Sequence, residues 1–479
     1  MIGVGILSMI FGVSSAWVVT RYNFIGKNFF EWALLLPAAV PAYIIAYTYT
    51  DFLEYAGPLQ KLLREIFNWN SVDDYWFPEI RSMGGAILVM SCVLYPYIYM
   101  MTRASFLTVP LSFYQTSLIY GRSSFFSVAL PLARPGIFAG LALVLMETIS
   151  DFGTVEYFAL ETLTLGVFNV WLGMNSLSGA AQISSVLFIF VVVLLTIEYL
   201  ARRRQRYFEK SSGQNMLESE TISFSGKLLC FLICLTPITL GFVIPVLILL
   251  NFVLSGFSII NFTEILGIAF SSITIATISA LVVMIISLLM IVVANYKSNS
   301  IQRILIFLSS CGYAFPGTIL AVGIVVFVGW LNDLIYFHLS YFVGGFIILI
   351  FAYTTRFLAV GNGAINSGIL RIHPNLFDAS RIMGISFFQS IRKVILPLVY
   401  ANLLAGGILV FVDILKELPM TLLLRPFNFE TLATYVYQYA SDELLEESSF
   451  AALIIIFVGL GPVIFLSNTI KNITNKKQS

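Results

Sequence analysis

Long apolar runs separated by short polar segments dominate this chain. An α-helix of about 20 apolar residues crosses the hydrocarbon core of a bilayer, and on that length the pattern predicts eleven membrane-spanning helices. They lie near residues 3–20, 30–50, 83–101, 136–152, 181–200, 228–253, 266–295, 303–330, 340–357, 399–422 and 450–468. Pro41, Pro96 and Pro316 fall within such runs, where neighbouring helices are expected to satisfy the freed backbone groups. The predicted fold class is an all-α polytopic membrane protein.

The polar segments predict the orientation. With residues 201–227 in the cytoplasm, most basic residues, Arg356 included, fall on the cytoplasmic side, as the positive-inside rule requires. The exceptions are Lys61, Arg64, Arg81, Lys416 and Arg425. Met1 is then expected outside and Ser479 inside. The first apolar run has neither a basic residue before it nor a small-residue cleavage site, so it does not have the pattern of a signal peptide.

The two halves of the chain repeat each other. A shift of 266 residues places Leu130-Pro131 on Leu396-Pro397, Glu147 on Asp413 and Asp151 on Glu417. The pattern predicts a parallel repeat with halves related by a pseudo-two-fold axis along the membrane normal. The predicted domains are residues 1–200 with five spans, a cytoplasmic linker at 201–227, and residues 228–479 with six spans.

The span at 228–253 has no counterpart in the first half. Either the architecture is five plus six spans, or the first half lacks its first helix.

Each half carries a polar insert too short to cross a bilayer, at about 103–135 and 358–398. In the second insert, Asn375 with Asp378 predicts a helix start and Gly384 its end. Ser386 with Gln389 then predicts a second helix that ends before Pro397. In the first insert, Ser112 with Gln115 predicts a short helix that Gly121 ends. Such short helices are unstable alone, so a partner surface is expected; the alternative is an ordinary interfacial helix.

The inserts carry a family resemblance. Asp378-Ala379-Ser380, Gly384 and Leu396-Pro397 resemble the EAA–G–LP motif of binding-protein-dependent ABC importer permeases. The resemblance implies a coupling helix that sits in a cleft of a separate ATPase subunit. The first half has Gln115-Thr116-Ser117 in place of EAA, and keeps Gly121 and Pro131. Its glycine-to-proline spacing is 10 residues against 13 in the second half, so it is expected to present a different face.

A narrower resemblance covers nearly the whole chain. ALPLARPGIFAGLALVLMETISDFGTVEYF and FVDILKELPMTLLLRPFNFETLATYVYQYASDELLEE are similar to segments of fused, double-length ferric-iron permeases. The resemblance implies an importer subunit that works by alternating access. Its implied partners are two copies of an ABC ATPase and a ferric-iron solute-binding protein outside. The sequence has no GxxxxGK[ST] phosphate loop, so ATP is expected on the partner subunits and no cofactor on this chain.

Four acidic residues are candidates for the translocation pathway. Glu147 with Asp151, and Asp413 with Glu417, are spaced i, i+4, which predicts one shared helix face per pair. Carboxylates at membrane depth usually face a bundle interior or a wet cavity, and hard oxygen ligands suit a highly charged cation. The alternative is structural, with the acids tied to Lys416, Arg425 or helix N-termini.

The external segment 51–82 contains the amphipathic GPLQKLLREIF. It is expected either to receive the binding protein or to lie flat in the outer interface. His338 and His373 are lone histidines and are assigned no role.

Composition agrees with these interpretations. Hydrophobic residues make up 59% of the chain, charged residues 11%, and the mean hydropathy is +0.92, which excludes a soluble globule. The 26 basic and 25 acidic residues give no nucleic-acid signal. Cys92, Cys230, Cys234 and Cys311 lie in apolar runs, so neither disulfides nor a metal site is expected.

Rival functions remain open at this stage. One is an ABC permease for thiamine, polyamines or phosphonates, and another is an ion-driven secondary transporter. An enzyme is not expected, because the sequence offers no nucleophile–base–acid set.

Overall fold

The structure, a computed structural model, describes residues 1–203, 220–296, 300–335, 345–370, 372, 376 and 386–476. These residues are almost entirely helical. The α-helices are α1 (Ile2–Arg21), α2 (Lys27–Ala33), α3 (Ala42–Leu53), α4 (Pro58–Phe67), α5 (Met83–Thr108), α6 (Leu111–Ile119), α7 (Leu130–Ser150), α8 (Gly153–Tyr157), α9 (Leu163–Phe168), α10 (Leu177–Arg203), α11 (Phe224–Ile238), α12 (Ile244–Ser255), α13 (Phe262–Tyr296), α14 (Ser300–Ser310), α15 (Gly317–Ile335), α16 (Phe346–Ile369), α17 (Phe387–Ser390), α18 (Leu396–Lys416), α19 (Pro419–Leu424), α20 (Leu432–Ser441) and α21 (Leu445–Lys476).

Shorter elements join these helices. Five-residue π-helical turns occupy Phe125–Ala129, Asn169–Gly173, Thr239–Val243 and Ile391–Ile395, and 3₁₀ turns occupy Leu36–Ala39, Val72–Asp74 and Gly312–Ala314. Two-residue strands β1 (Tyr22–Asn23) and β2 (Glu220–Thr221) pair in parallel. This pairing places the end of α1 beside the segment that leads into α11.

Eight helices within the described residues are long and apolar enough to cross a membrane. A ninth candidate is the pair Lys27–Ala39 and Ala42–Phe67, bent by 89° at a short break. The predicted spans at 181–200 and 450–468 fall within α10 and α21, whose ends include side chains outside the described set. The chain is thus an all-α polytopic membrane protein, as predicted.

Proline explains where single predicted spans are broken. Pro41 precedes α3 at the 89° bend. The run at 303–330 was predicted as one span, which is wrong: α14 ends at Ser310, a 3₁₀ turn follows, and Pro316 immediately precedes α15. Pro96, in contrast, lies inside the continuous helix α5. Proline removes one backbone donor and fixes φ, so its effect depends on whether nearby groups replace the lost hydrogen bond.

The 266-residue repeat also holds for the first and last residues of corresponding helices. The π turn at Phe125–Ala129 and helix α7 correspond to the π turn at Ile391–Ile395 and helix α18 at the same offset of 266 residues. Helices α8 and α19 start at corresponding positions, 153 and 419.

Packing repeats as well. A Cβ added at Gly140 would lie 2.7 Å from the Ile98 Cα, and one added at the corresponding Gly406 would lie 2.6 Å from the Ala364 Cβ. Because only glycine permits this approach, α7 packs closely on α5, and α18 on α16, at equivalent heights.

By their contacts, the residues group into two units. One comprises 1–166, 186–260 and 437–463, and the other 167–185, 261–436 and 464–479. The unpaired span of the second half, now α11 and α12, belongs to the first unit, where the Tyr49 hydroxyl donates to the Leu240 carbonyl oxygen at 2.5 Å. The two units are defined by contacts between residues, whereas the predicted domains are defined by the sequence repeat. The units therefore do not test the predicted domain boundaries, which stay a prediction.

Candidate functional site

Helix α6 carries the first predicted coupling motif. It begins at Leu111 after Pro110, which makes no side-chain cap, so the predicted cap at Ser112 is wrong. Its end is as predicted: Gly121 has φ 63°, its N–H donates to the Leu118 carbonyl oxygen at 3.0 Å, and the Arg122 N–H donates to the Ser117 carbonyl oxygen at 2.9 Å. This is the Schellman arrangement, in which a left-handed residue closes the helix.

Two buried side chains of α6 hold this helix against the rest of the first unit. Tyr114 is buried and its ring lies 6.2 Å from that of Trp17, with the Arg21 guanidinium 5.4 Å above it. Arg21 is itself buried and pairs with Glu220. Ser117 is also buried, and its hydroxyl lies 2.9 Å from that of Ser124.

The rest of α6 faces outward. Gln115 is exposed, and so are Phe113, Leu118, Ile119 and Tyr120, with Ile119 82% and Tyr120 76% exposed. A short helix with one buried stripe and a cluster of exposed apolar side chains offers a surface for a partner.

The second coupling motif lies outside the described residues, namely Asn375, Asp378, Ala379, Ser380 and Gly384. Its Leu396-Pro397 end is described. The predicted helix starts after Ser386, but the prediction that it ends before Pro397 is wrong, since Phe387–Lys416 forms one continuous span.

A π turn explains how each Leu-Pro pair fits into a continuous helix. The Leu130 N–H bonds to the Phe125 carbonyl oxygen and the Leu396 N–H to the Ile391 carbonyl oxygen, five residues earlier instead of four. The widened turn accommodates Pro131 and Pro397, which have no N–H and would crowd a carbonyl in a regular helix.

The four acidic candidates do not share helix faces in pairs. Helix α7 ends at Ser150, and Asp151 is extended with ψ 135°. Its carboxylate accepts hydrogen bonds from the Thr154 N–H at 3.1 Å, the Thr154 hydroxyl at 2.9 Å and the Val155 N–H at 3.2 Å. The second acid of the first pair therefore leaves its helix and caps the start of α8.

Glu417 occupies the equivalent position after α18. Its carboxylate accepts from the Met420 N–H at 3.0 Å, the Thr421 N–H at 2.9 Å and the Thr421 hydroxyl at 2.8 Å. It also accepts from Arg356 Nη1 at 3.0 Å. Sequence reasoning offered Lys416, Arg425 or helix N-termini as partners, and the helix N-terminus is confirmed. Arg356, which was counted among the cytoplasmic basic residues, lies buried within α16. Glu147 and Asp413 remain partly buried on α7 and α18.

A cavity of about 260 Å³ lies in the first unit, beyond the C-terminal end of α7. We call it the tyrosine cavity, after Tyr43, Tyr47, Tyr157 and Tyr437 in its lining; its charged lining residues are Arg81, Glu156 and Glu443. The Tyr437 hydroxyl donates to the Glu156 carboxylate. Burial raises the pKa of Glu156, and the hydrogen bond from Tyr437 opposes that rise. Sequence reasoning missed this site, because Glu156 and Tyr437 stand 281 residues apart.

The segment 51–82, which the sequence predicts to be external, is held together through the polar side of α4. Gln60 and Arg64 of α4 both bond to the Tyr75 hydroxyl, at 2.6 and 2.9 Å, whereas Leu62 and Ile66 are exposed. The apolar face of α4 thus points away from the segment. Whether it meets lipid or a binding protein stays a prediction.

Within the described residues, His, Cys, Asp and Glu side chains form no group of three or more that is arranged to hold a metal ion.

Comparisons with known proteins agree with the resemblance drawn from the motifs. The family of binding-protein-dependent transport system inner membrane components matches residues 8–210 and 286–477. An Fe(3+)-transport system permease protein, FbpB 2 of Haemophilus influenzae, is 25% identical over 476 residues, covering 97% of this chain and 86% of the relative. The ferric transport system permease protein FbpB of Actinobacillus pleuropneumoniae is 21% identical over 92% of this chain and 65% of the relative.

A shorter relative matches only part of the chain. The molybdenum transport system permease protein ModB of Haemophilus influenzae is 27% identical over 205 residues, 40% of this chain and 84% of the relative. Since the family match falls in both halves and covers most of the sequence, this chain belongs to the family of binding-protein-dependent transport system inner membrane components.

Proposed function

We propose that this chain is the permease subunit of an ATP-driven importer of ferric iron. The observation that carries the proposal is its similarity to a ferric-iron permease over 97% of its length. The chain would form the gated passage by alternating access, with Met1 outside and Ser479 in the cytoplasm. A solute-binding protein would deliver iron from outside, and two copies of an ABC ATPase would bind and hydrolyse ATP inside.

Helix α6 supports the coupling part of this proposal. Its exposed apolar side chains lie next to Gln115, where the family resemblance places an ATPase contact. Its buried residues tie it to α1 through Tyr114 and to the π turn before Leu130-Pro131 through Ser124. A displacement of α6 would therefore be transmitted to α1 and to α7 together. ATP and the loaded binding protein would each favour one conformation of the permease. The insert with Asp378-Ala379-Ser380 and Gly384 would contact the second ATPase copy.

The roles of Glu147, Asp151, Asp413 and Glu417 in translocation are part of the proposal too. Through their hydrogen bonds, Asp151 and Glu417 already cap the helices that follow them. Any contact with the passing ion would be additional to this capping role.

Molybdate is the second candidate, on the similarity to a molybdenum permease. That match covers 40% of the chain, whereas the ferric permease match covers 97%.

The test is transport by the purified complex in vesicles, with the binding protein supplied outside and ATP inside. We expect uptake of radioactive ferric iron that unlabelled ferric iron suppresses and molybdate does not. ATP-dependent uptake of molybdate, thiamine or a polyamine, with none of iron, would contradict the ferric assignment.

A further inference from the structure

The tyrosine cavity is rich in oxygen donors. Four phenol groups and two carboxylates line it, and its nitrogen-bearing side chain is that of Arg81. Its volume of about 260 Å³ lies just below the range of about 300–1,000 Å³ that is typical of pockets for drug-sized ligands. The space thus suits a small hydrated or chelated ion better than a large organic solute.

The charge of the cavity is negative. Arg81 Nε lies 2.6 Å from Glu54 Oε1, and its Nη2 lies 3.4 Å from Glu443 Oε1. The guanidinium also lies 5.2 Å from the ring centre of Tyr157. The lining thus holds two carboxylates, those of Glu156 and Glu443, against one guanidinium, which Glu54 outside the lining also pairs with. This leaves an excess of negative charge that attracts a cation.

One buried polar group in the lining lacks a partner. Tyr47 is 1% exposed, and its hydroxyl makes no hydrogen bond among the described residues. The Ser448 hydroxyl lies near it, but outside ordinary hydrogen-bond distance, and donates to the Leu445 carbonyl oxygen at 3.2 Å. Leaving a buried hydroxyl unpaired costs free energy, so this oxygen is suited to a ligand that enters the cavity.

The position of the cavity fits a receiving site. Its residues come from α3, from the segment before α5, from α8 and the residues after it, from the C-terminal half of α20, and from the segment between α20 and α21. In the predicted topology all of these lie toward the outer face. Glu156 sits on α8, directly after the Asp151 cap, so the helix that follows α7 holds it in place.

We propose that the tyrosine cavity is the site on this permease that first takes up the ferric ion, through Tyr437, Glu156, Tyr47 and Glu443. The inference rests on the proposed function and adds to it a binding site. Carboxylate and phenolate oxygens are hard donors, which a small trivalent cation prefers. The ion would take the place of the proton that Tyr437 now donates to Glu156, and that proton would leave to the solvent.

The test uses the purified full-length chain and ferric nitrilotriacetate as the probe. A phenolate bound to Fe(III) gives a visible charge-transfer absorption, which a carboxylate ligand does not produce. We expect the band to appear on titration, to weaken in Tyr437→Phe and in Tyr47→Phe, and to disappear when both are replaced. In Glu156→Gln it should need at least about ten-fold more iron. Gallium(III) nitrilotriacetate, which has no such band, should compete with the iron and weaken it.

Tyr95→Phe is the matched control, because Tyr95 is a buried tyrosine of the same unit that does not line the cavity. It should keep the band, and size-exclusion chromatography checks that every variant is folded. If the complex imports iron but the wild-type chain shows no band, or if the band survives when Tyr437 and Tyr47 are both replaced by Phe, the cavity is not the site and the proposed function stands. If the complex imports no iron at all, the proposed function itself is wrong.

Discussion

Arg356 and Glu417 form a buried ion pair, with Nη1 3.0 Å from Oε1 and little of either side chain exposed. The pair joins α16 to the turn between α18 and α19. The repeat gives it no counterpart, because the first-half position that corresponds to Arg356 is Met90. Asp151 caps its helix without an arginine at that position. The equivalent turns of the two halves are therefore stabilised by different side chains.

Replacing Arg356 by Met tests this difference. The change leaves the Glu417 carboxylate buried without its guanidinium, which should lower the free energy of unfolding by about 3 kcal/mol. Arg356→Met with Glu417→Gln should recover part of the loss, since no isolated charge remains. Denaturant titration of the purified protein measures both.

Arg425→Met is the control for that experiment. Arg425 pairs with Glu430 at 3.3 Å and both side chains are more exposed, so the loss should stay below about 1 kcal/mol. Equal losses in Arg356→Met and Arg425→Met would show that burial does not set the strength of the first pair.

Gly121 offers a test of the proposed coupling role of α6 that depends on backbone conformation alone. A Cβ at Gly121 would meet nothing within 4 Å, but φ is 63°. Gly121→Ala should therefore strain the end of α6 by about 1 kcal/mol, and should lower iron uptake per ATP hydrolysed. Asn tolerates this conformation, so Gly121→Asn should stay close to wild type. If both variants behave alike, the conformation at Gly121 is not what limits coupling.

The exposed side chains of α6 give a second test of coupling. Ile119→Ser removes a large apolar side chain that is 82% exposed. If α6 contacts the ATPase, the change should reduce co-purification of the ATPase by about ten-fold, as loss of a central interface side chain does.

Ile10→Ser on α1 is its matched control, because Ile10 is also an exposed apolar residue but lies on a membrane-span candidate. It should leave co-purification unchanged. Retention of the ATPase by Ile119→Ser would remove α6 as the contact.

Asp151→Asn separates capping from charge. The Asn side-chain oxygen can still accept from the Thr154 N–H, so stability should change by less than about 1 kcal/mol. If the Asp151 charge serves ion passage, iron uptake should nonetheless fall severely while the ATPase still co-purifies. Glu147→Gln on the preceding helix turn tests the other acid of the pair. Normal uptake in Asp151→Asn would leave Asp151 with a capping role only.

Sequence reasoning reached the features that depend on local pattern or on a fixed offset. The 266-residue shift correctly aligned Leu130-Pro131 with Leu396-Pro397, and Gly121 was correctly predicted to end a short helix. It failed for features that depend on tertiary contacts between distant parts of the chain. Arg356 was counted among the basic residues on the cytoplasmic side by the positive-inside rule, whereas it pairs inside the protein with Glu417, 61 residues away.

The π turns show a second limit of sequence reasoning. A proline in a helical pattern normally predicts a helix end, and Pro397 was read that way. One extra residue in the preceding turn removes the clash, and nothing in the apolar pattern distinguishes the two outcomes. The tyrosine cavity was missed for a related reason, since its residues come from segments far apart in the chain.

The central claim is that this chain supplies the passage and a separate ATPase supplies the free energy. The most direct measurement compares iron accumulation in vesicles that contain the chain alone with vesicles that contain the chain and its ATPase, with the binding protein outside and ATP inside both. We predict accumulation against a gradient only when the ATPase is present and hydrolyses ATP. Accumulation of iron by the chain alone would contradict the account.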